Sequence, residues 1–177
     1  LPILISAPGE NMDKTIVYGV NDNLLNDSDK IVSSASCTTN CLAPIADIIN
    51  NTIGIEKGFV TTIHSYTGDQ NIVDSTHKDL YRSRAGACSI VPTKTGAAKA
   101  ISEILPELAG KLDGTALRVP TPNVSAVDMT FISKFKTTSE ELNSIIKKEC
   151  EGKYKNIVEY TEDKIVSIDV NHSPYAS

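Results

Sequence analysis

Ser36-Cys37-Thr38-Thr39-Asn40-Cys41 places one thiol between a β-rich run, Lys30-Ile31-Val32-Ser33, and a helical pattern that begins at Leu42. A strand-to-helix junction leaves backbone N–H groups unpaired at the positive end of the helix dipole, and both features favour thiolate over thiol. Cys37 is therefore the candidate nucleophile. A lone cysteine is more often a packing residue, so the weight falls on what surrounds it. Downstream, Phe59-Val60-Thr61-Thr62-Ile63-His64 reads as a β-branched strand that delivers a histidine at its C-terminal end. Cysteine and histidine at the ends of two elements make a nucleophile-base pair. An imidazolium stabilises the thiolate, and the same ring donates to the oxygen of an attacked carbonyl and later takes the proton from a hydroxyl. Cys41, one helical turn beyond Cys37, is read as structural. His77 and His172 lie in polar loop sequence and receive no catalytic role.

The 177 residues suffice for one core, and a hydrophobic fraction of 40% is ordinary for a globular protein. A net charge of -5 argues against a general nucleic-acid or membrane-surface role. The apolar runs are short and interrupted, so no membrane span is expected. Four cysteines, Cys37, Cys41, Cys88 and Cys150, show neither zinc-ribbon spacing nor the density of a disulfide scaffold, which points to a reducing cytoplasm and no metal site. Leu1 opens in a strand-like run and Ser177 follows no closing element, as expected of a piece of a longer protein.

Strands are expected over Ile3–Ser6, Thr15–Val20 and Lys30–Ser34. Leu42, Ile45, Ile48, Ile49 and Ile53 recur at helical spacing, with Pro44 early in the helix and Gly54 ending it. Residues 74–92 show no period and read as an extended loop. Thr95 is the expected N-cap of a helix carrying Ala98, Ile101, Ile104, Leu105 and Leu108 and closed by Gly110. A strand over residues 124–133 precedes a capping box, Thr138 with Glu141, that opens a third helix. Further strands are expected over Ile157–Tyr160 and Ile165–Val170. Strands interspersed with three amphipathic helices imply a mixed sheet covered by helices on one side, parallel or antiparallel. Arg82 and Arg118 each need an anion or a carboxylate partner, and Thr95-Gly96 lies where a helix N-terminus would favour an anion.

The flanks Ser-Ala-Ser-Cys-Thr-Thr-Asn-Cys-Leu-Ala-Pro and Thr-Thr-Ile-His-Ser-Tyr-Thr-Gly-Asp-Gln closely resemble phosphorylating glyceraldehyde-3-phosphate dehydrogenase. The resemblance continues through Arg82-Ser83-Arg84, Thr93-Lys94-Thr95-Gly96-Ala97-Ala98-Lys99-Ala100 and Arg118-Val119-Pro120-Thr121-Pro122-Asn123-Val124-Ser125, in the family's order. It implies an α+β fold, within the broader α/β class, with a mostly antiparallel mixed sheet. Residues 1–36 would be the last strands of a Rossmann dinucleotide-binding domain and residues 37–177 the catalytic domain, incomplete at its C-terminus. It further implies that Cys37 and His64 are catalytic, that Thr67, Arg82 and Arg118 hold the C3 phosphate of glyceraldehyde 3-phosphate, and that Ser36, Thr38, Thr95 and Gly96 hold inorganic phosphate. Arg84 would support the loop at 74–92, which in the family reaches toward a neighbouring subunit's cofactor. The implied activity is cytoplasmic and glycolytic: oxidation and phosphorylation to 1,3-bisphosphoglycerate by a homotetramer, with NAD as cofactor and NADP left open.

Parts of the pattern are missing. No Gly-x-Gly-x-x-Gly fingerprint occurs among the ten glycines, so the cofactor's main site is expected outside this chain. The resemblance covers nearly all of the chain but only the middle half of a typical member. Ser34 stands where many members have asparagine. Two readings from other classes remain: a non-catalytic fragment acting as an interaction or oligomerisation piece, and a Cys-His hydrolase that would leave both phosphate clusters unexplained. An erythrose-4-phosphate enzyme is the close relative left open.

Overall fold

The computed structural model describes residues 3–177; Leu1 and Pro2, within the expected 1–36 segment, lie outside them. Short strands β1 (Ile3–Ile5), β2 (Lys14–Thr15) and β3 (Ile31–Ser33) form a parallel sheet in the order β1-β3-β2. The expected strand at Thr15–Val20 is corrected to β2 alone. Beyond Thr15 the chain turns, because Asn21 Oδ1 accepts the Val17 N–H at 2.8 Å and its amide donates to the Thr15 carbonyl at 3.1 Å.

The second sheet holds β4 (Ile55–Ser65), β5 (Val91–Lys94), β6 (Leu112–Val119) and β7 (Ala126–Ser133) in the order β5-β6-β4-β7. β4 runs parallel to β6 and antiparallel to β7, and β5 is antiparallel to β6. Two of the three pairings are antiparallel, as the α+β expectation required. β5 and β6 are not among the strands read from sequence. Gly114 is one reason: it interrupts the β-branched pattern of β6, yet a Cβ there would lie 2.6 Å from the Val60 carbonyl oxygen, so the close approach of β4 demands it.

Helix α1 (Cys37–Thr52) starts at the cysteine itself and runs through Pro44. Gly54, at φ +70°, closes it, its N–H bonded to the Ile49 carbonyl at 3.0 Å. Leu42, Ala43, Ala46 and Ile49 of α1 meet Ile101 and Ile104 of α2 (Ala97–Ile104) and Ile55 and Val60 of β4 in one buried core. α2 ends at Ile104 rather than at Gly110. Pro106 has no N–H to continue the ladder, and Pro106–Leu108 forms a 3-10 turn instead. Its cap is also corrected: Gly96 is the N-cap residue, and Thr95 Oγ1 accepts the Ala97 N–H at 3.2 Å. α3 (Ser139–Glu151) opens on the expected box, Thr138 Oγ1 accepting from the Glu141 N–H at 3.2 Å and Glu141 Oε2 from the Thr138 N–H at 3.0 Å.

After α3 the chain departs from expectation. Residues 157–160 form no strand, and Ser167–Val170 is a 3-10 turn with Val166 and Ile168 exposed. Among the described residues neither segment joins a sheet, so β propensity has nothing to pair with. The segment is anchored at its root, where the fully buried Tyr154 donates its hydroxyl to Asp47 of α1 at 2.5 Å. Asp47 also accepts from Lys153 Nζ and Asn51 Nδ2, each at 2.8 Å. Burial, followed by the Asp47 bond, pushes the Tyr154 phenol far up. Tyr154→Phe should cost about 1–3 kcal/mol in urea unfolding, the penalty of a buried acceptor losing a donor; an unchanged midpoint would mean that Lys153 and Asn51 satisfy Asp47 alone.

Candidate active site

Ser36 caps α1, its Oγ accepting the Thr39 N–H at 3.1 Å. The approach is set by Ala35, a buried non-glycine residue at φ +60°, whose N–H bonds Ser33 Oγ at 3.1 Å. Asn40, one turn into the helix, donates its amide to the Ser34 and Ser36 carbonyls at 2.7 and 2.9 Å and ties the turn down. These contacts use the Ser34 main chain, so the serine in place of asparagine leaves them intact. Cys37 emerges exposed.

β4 carries Thr62 and His64 on the face toward α1, and both are buried. His64 Nε2 lies 3.2 Å from Cys37 Sγ. On the other side of the ring, Nδ1 is 2.7 Å from the Ser65 carbonyl oxygen, which accepts from Nδ1 when that nitrogen carries a proton. Register places Arg118 of β6 beside His64, with Nη1 3.1 Å from the same carbonyl and 2.7 Å from Nδ1. The hydrogen bond to His64 brings the Cys37 thiol down to about 7 against the opposing effect of burial, and the Thr38 amide and hydroxyl assist. The bond to Cys37 raises His64, burial opposes it, the Ser65 carbonyl adds to it, and the Arg118 cation works against it. Cys41 behaves oppositely: burial pushes its thiol up, and it bonds only the Ser177 hydroxyl, at 3.5 Å. One thiol at the helix tip is thus activated and the other is not.

A cleft of about 730 Å³ opens over this pair. Eight of the nine residues expected to act here line it: Ser36, Cys37, Thr38, His64, Thr67, Thr95, Gly96 and Arg118. Gly96 faces open space, with nothing within 4 Å of where a Cβ would stand, so a ligand has room to reach its backbone. Thr67 is held by Gln70, whose buried Oε1 accepts the Thr67 N–H at 2.9 Å. Arg118 Nε is buried without a partner, an unspent donor at the cleft wall. Arg82 stands outside the lining: Asp69 and Asp79 pair with it, and Thr93 Oγ1 accepts from its Nη2 at 2.5 Å. Arg84 pairs with Asp74 at 2.9 Å within the 74–92 loop. His77 and His172 do not line the cleft.

Several lining residues escaped the sequence reading. Thr62, 1% exposed with its hydroxyl unpartnered, was discoverable from the alternation Val60-Thr62-His64, which puts it on the histidine's face. Lys94, Lys99 and the loop from Ser6 to Glu10 also line the cleft, but they come from separate elements and carry no shared spacing signal. Among the described residues no group of three or more His, Cys, Asp and Glu could hold a metal, and no helix is long and apolar enough to cross a membrane.

Residues 36–177 match the family described as "Glyceraldehyde 3-phosphate dehydrogenase, C-terminal domain". "Glyceraldehyde-3-phosphate dehydrogenase" of Xanthobacter flavus is 56% identical over 175 residues, covering 99% of this chain and 52% of that protein. The protein of the same name from Cereibacter sphaeroides is 55% identical over 175 residues, covering 99% of this chain and 53% of that protein. The chain thus spans about half the length of these relatives. With the match beginning at the cap of α1 and running through the Cys37, His64 and Arg118 segments, the chain belongs to the glyceraldehyde-3-phosphate dehydrogenase family.

Proposed function

We propose that this chain is the acyl-transfer half of a glycolytic dehydrogenase that oxidises and phosphorylates D-glyceraldehyde 3-phosphate to 1,3-bisphosphoglycerate. The single observation that carries the reading is the 3.2 Å contact of Cys37 Sγ with His64 Nε2 at the tip of α1, beside a cation with an unspent buried donor. The thiolate attacks the aldehyde carbon, forming the C–S bond while the carbonyl oxygen takes the proton from His64 Nε2. His64, now neutral at Nε2, takes the hydroxyl proton back as the carbon is oxidised and a thioester forms. A nicotinamide, NAD or NADP, supplies the hydride acceptor for that oxidation when bound. Phosphate oxygen then attacks the thioester, the C–S bond breaks, and the departing thiolate returns to the imidazolium.

Arg118 and Thr67 are assigned to the C3 phosphate, with Arg82 acting at one remove through the Asp69 and Thr93 contacts it makes. Ser36, Thr38, Thr95 and Gly96 are assigned to inorganic phosphate, a role supported by two helix N-termini facing one cleft. The Ser6–Glu10 loop and residues 95–99, which line the same cleft, would hold the nicotinamide that accepts the hydride; the pyrophosphate-binding turn is assigned to sequence outside these 177 residues. The division into 1–36 and 37–177 draws support from the separate parallel sheet and from the family match starting at residue 36. A cytoplasmic setting follows from chemistry that needs Cys37 as a free thiol. Assembly as a homotetramer is supported by Phe59, Ile63 and Ile132 on the sheet face away from the helices, by Leu80 and Ile90 in the long loop and by Ile72 just before it, all exposed.

The test adds what the chain lacks. Calorimetric titration of the 177-residue chain should show no micromolar NAD binding. Fusion to the nucleotide-binding half of the Xanthobacter flavus relative should give NAD reduction that requires both glyceraldehyde 3-phosphate and phosphate. Micromolar binding by the chain alone would misplace the cofactor site, and an inactive but folded, NAD-binding fusion would sink the reading.

A further inference from the structure

The paired ladder of β4 and β7 ends at Ile63 opposite Ala126. Beyond that pair Val124 adopts φ +65°, a left-handed conformation in which a β-branched residue is strained. Asn123 Oδ1 accepts the Val124 N–H at 2.9 Å and holds the turn. The main chain of β7 therefore leaves the ladder, and the next donor of β4, the Ser65 N–H, finds Ser125 Oγ at 3.1 Å. Ser125 Oγ also lies 3.4 Å from Ser65 Oγ. The residue so gripped is the one whose carbonyl receives His64 Nδ1 at 2.7 Å and Arg118 Nη1 at 3.1 Å.

We infer that Ser125 is a positioning residue for the Cys37–His64 pair: by anchoring Ser65 through its N–H it holds the residue whose carbonyl faces His64 Nδ1, and so keeps Nε2 turned to the thiol. The strained turn at Val124 makes sense as the means of substituting a hydroxyl for a ladder carbonyl at this one position. A side-chain acceptor leaves Ser65 oriented without extending the strand past the histidine. The titratable groups acting on His64 are Cys37 from α1 and Arg118 from β6, the latter biased in turn by Asp69 and Arg82 from the loop. From β7 the contact is a hydroxyl that does not titrate, so its removal changes geometry and leaves the charge count untouched.

The inference rests on His64 acting as the base, and the experiment separates the two. In the protein, Ser125→Ala should slow Cys37 alkylation at neutral pH by about two- to tenfold, the factor that an ordinary hydrogen bond represents. The rate profile should shift to higher pH, and the His64 ring nitrogen-15 signals should move as the ring loses its fixed orientation. Ser125→Thr, which keeps the hydroxyl, should restore both. If Ser125→Ala matches the wild type in rate profile and nitrogen shifts, or if Ser125→Thr is as slow as the alanine variant, the inference is overturned while His64 keeps its role. If His64→Asn itself leaves alkylation unchanged, the base assignment falls and the inference with it.

Discussion

Asparagine in place of His64 is expected to lower turnover of the fused enzyme by about 10²–10⁴-fold, the range for losing a positioned acid-base group. Two separate losses combine. The thiol, held at about 7 chiefly by its hydrogen bond to the ring, drifts back toward an ordinary cysteine, so less thiolate is present at neutral pH. The proton that the attacked oxygen needs also has no source. Alkylation isolates the first loss: wild-type reactivity should rise through pH about 7 as the thiol deprotonates, and the variant's curve should move upward. Turnover should also fall at high pH, as the raised but finite basicity of His64 gives out, producing a bell whose limbs belong to the coupled pair. Turnover unchanged in the variant would remove His64 from the mechanism.

Arg118→Ala should raise KM for glyceraldehyde 3-phosphate by roughly 10- to 150-fold, the range for charge-assisted hydrogen bonds of about 1.5–3 kcal/mol, while use of unphosphorylated glyceraldehyde changes far less. The asymmetry is the informative part. Arg118 touches both the Ser65 carbonyl and the neighbourhood of His64 Nδ1, so a purely structural role would damage both substrates equally. Removing the cation also relieves the one charge that opposes His64 protonation, which works toward preserving the chemistry with the smaller aldehyde. Equal losses for the two aldehydes would reassign Arg118 to holding the histidine.

What could be read without coordinates divides along a physical line. Features written in local chemistry came through: the Cys37 junction, the strand ending at His64, Gly54 closing α1, and the Thr138–Glu141 box are each specified within a few residues. Features specified by a distant partner did not. β6 reads poorly because Asp113 and Gly114 break its pattern, yet its place is dictated by β4, whose backbone leaves no room for a side chain at Gly114. Conversely Ile165, Val166, Ile168 and Val170 look strand-like, but they stay exposed and, among the described residues, join no sheet. At the site, local chemistry nominated Cys37, His64, Thr95, Gly96 and Arg118, and the family resemblance added Ser36, Thr38 and Thr67, whereas the engagement of Arg82 by Asp69 and Asp79 is a property of loop folding that spacing does not encode. Ser125 was legible only as part of a strand, since its acceptor role depends on a left-handed turn at Val124.

The parallel pairing of β4 with β6 makes the histidine and the arginine neighbours although 54 positions separate them in the chain. Such a contact closes a large loop before it returns any stabilisation, so it forms late compared with helices and hairpins. During refolding, α1 and its capped tip can arise early from local interactions, presenting a cysteine of ordinary sluggishness. The thiol is lowered when β4 docks and brings His64, 27 positions away, against Cys37, and the later docking of β6 adds the Arg118 cation that opposes protonation of the ring. Sensitivity of Cys37 to a short pulse of alkylating reagent therefore reports the moment in refolding at which β4 docks on α1.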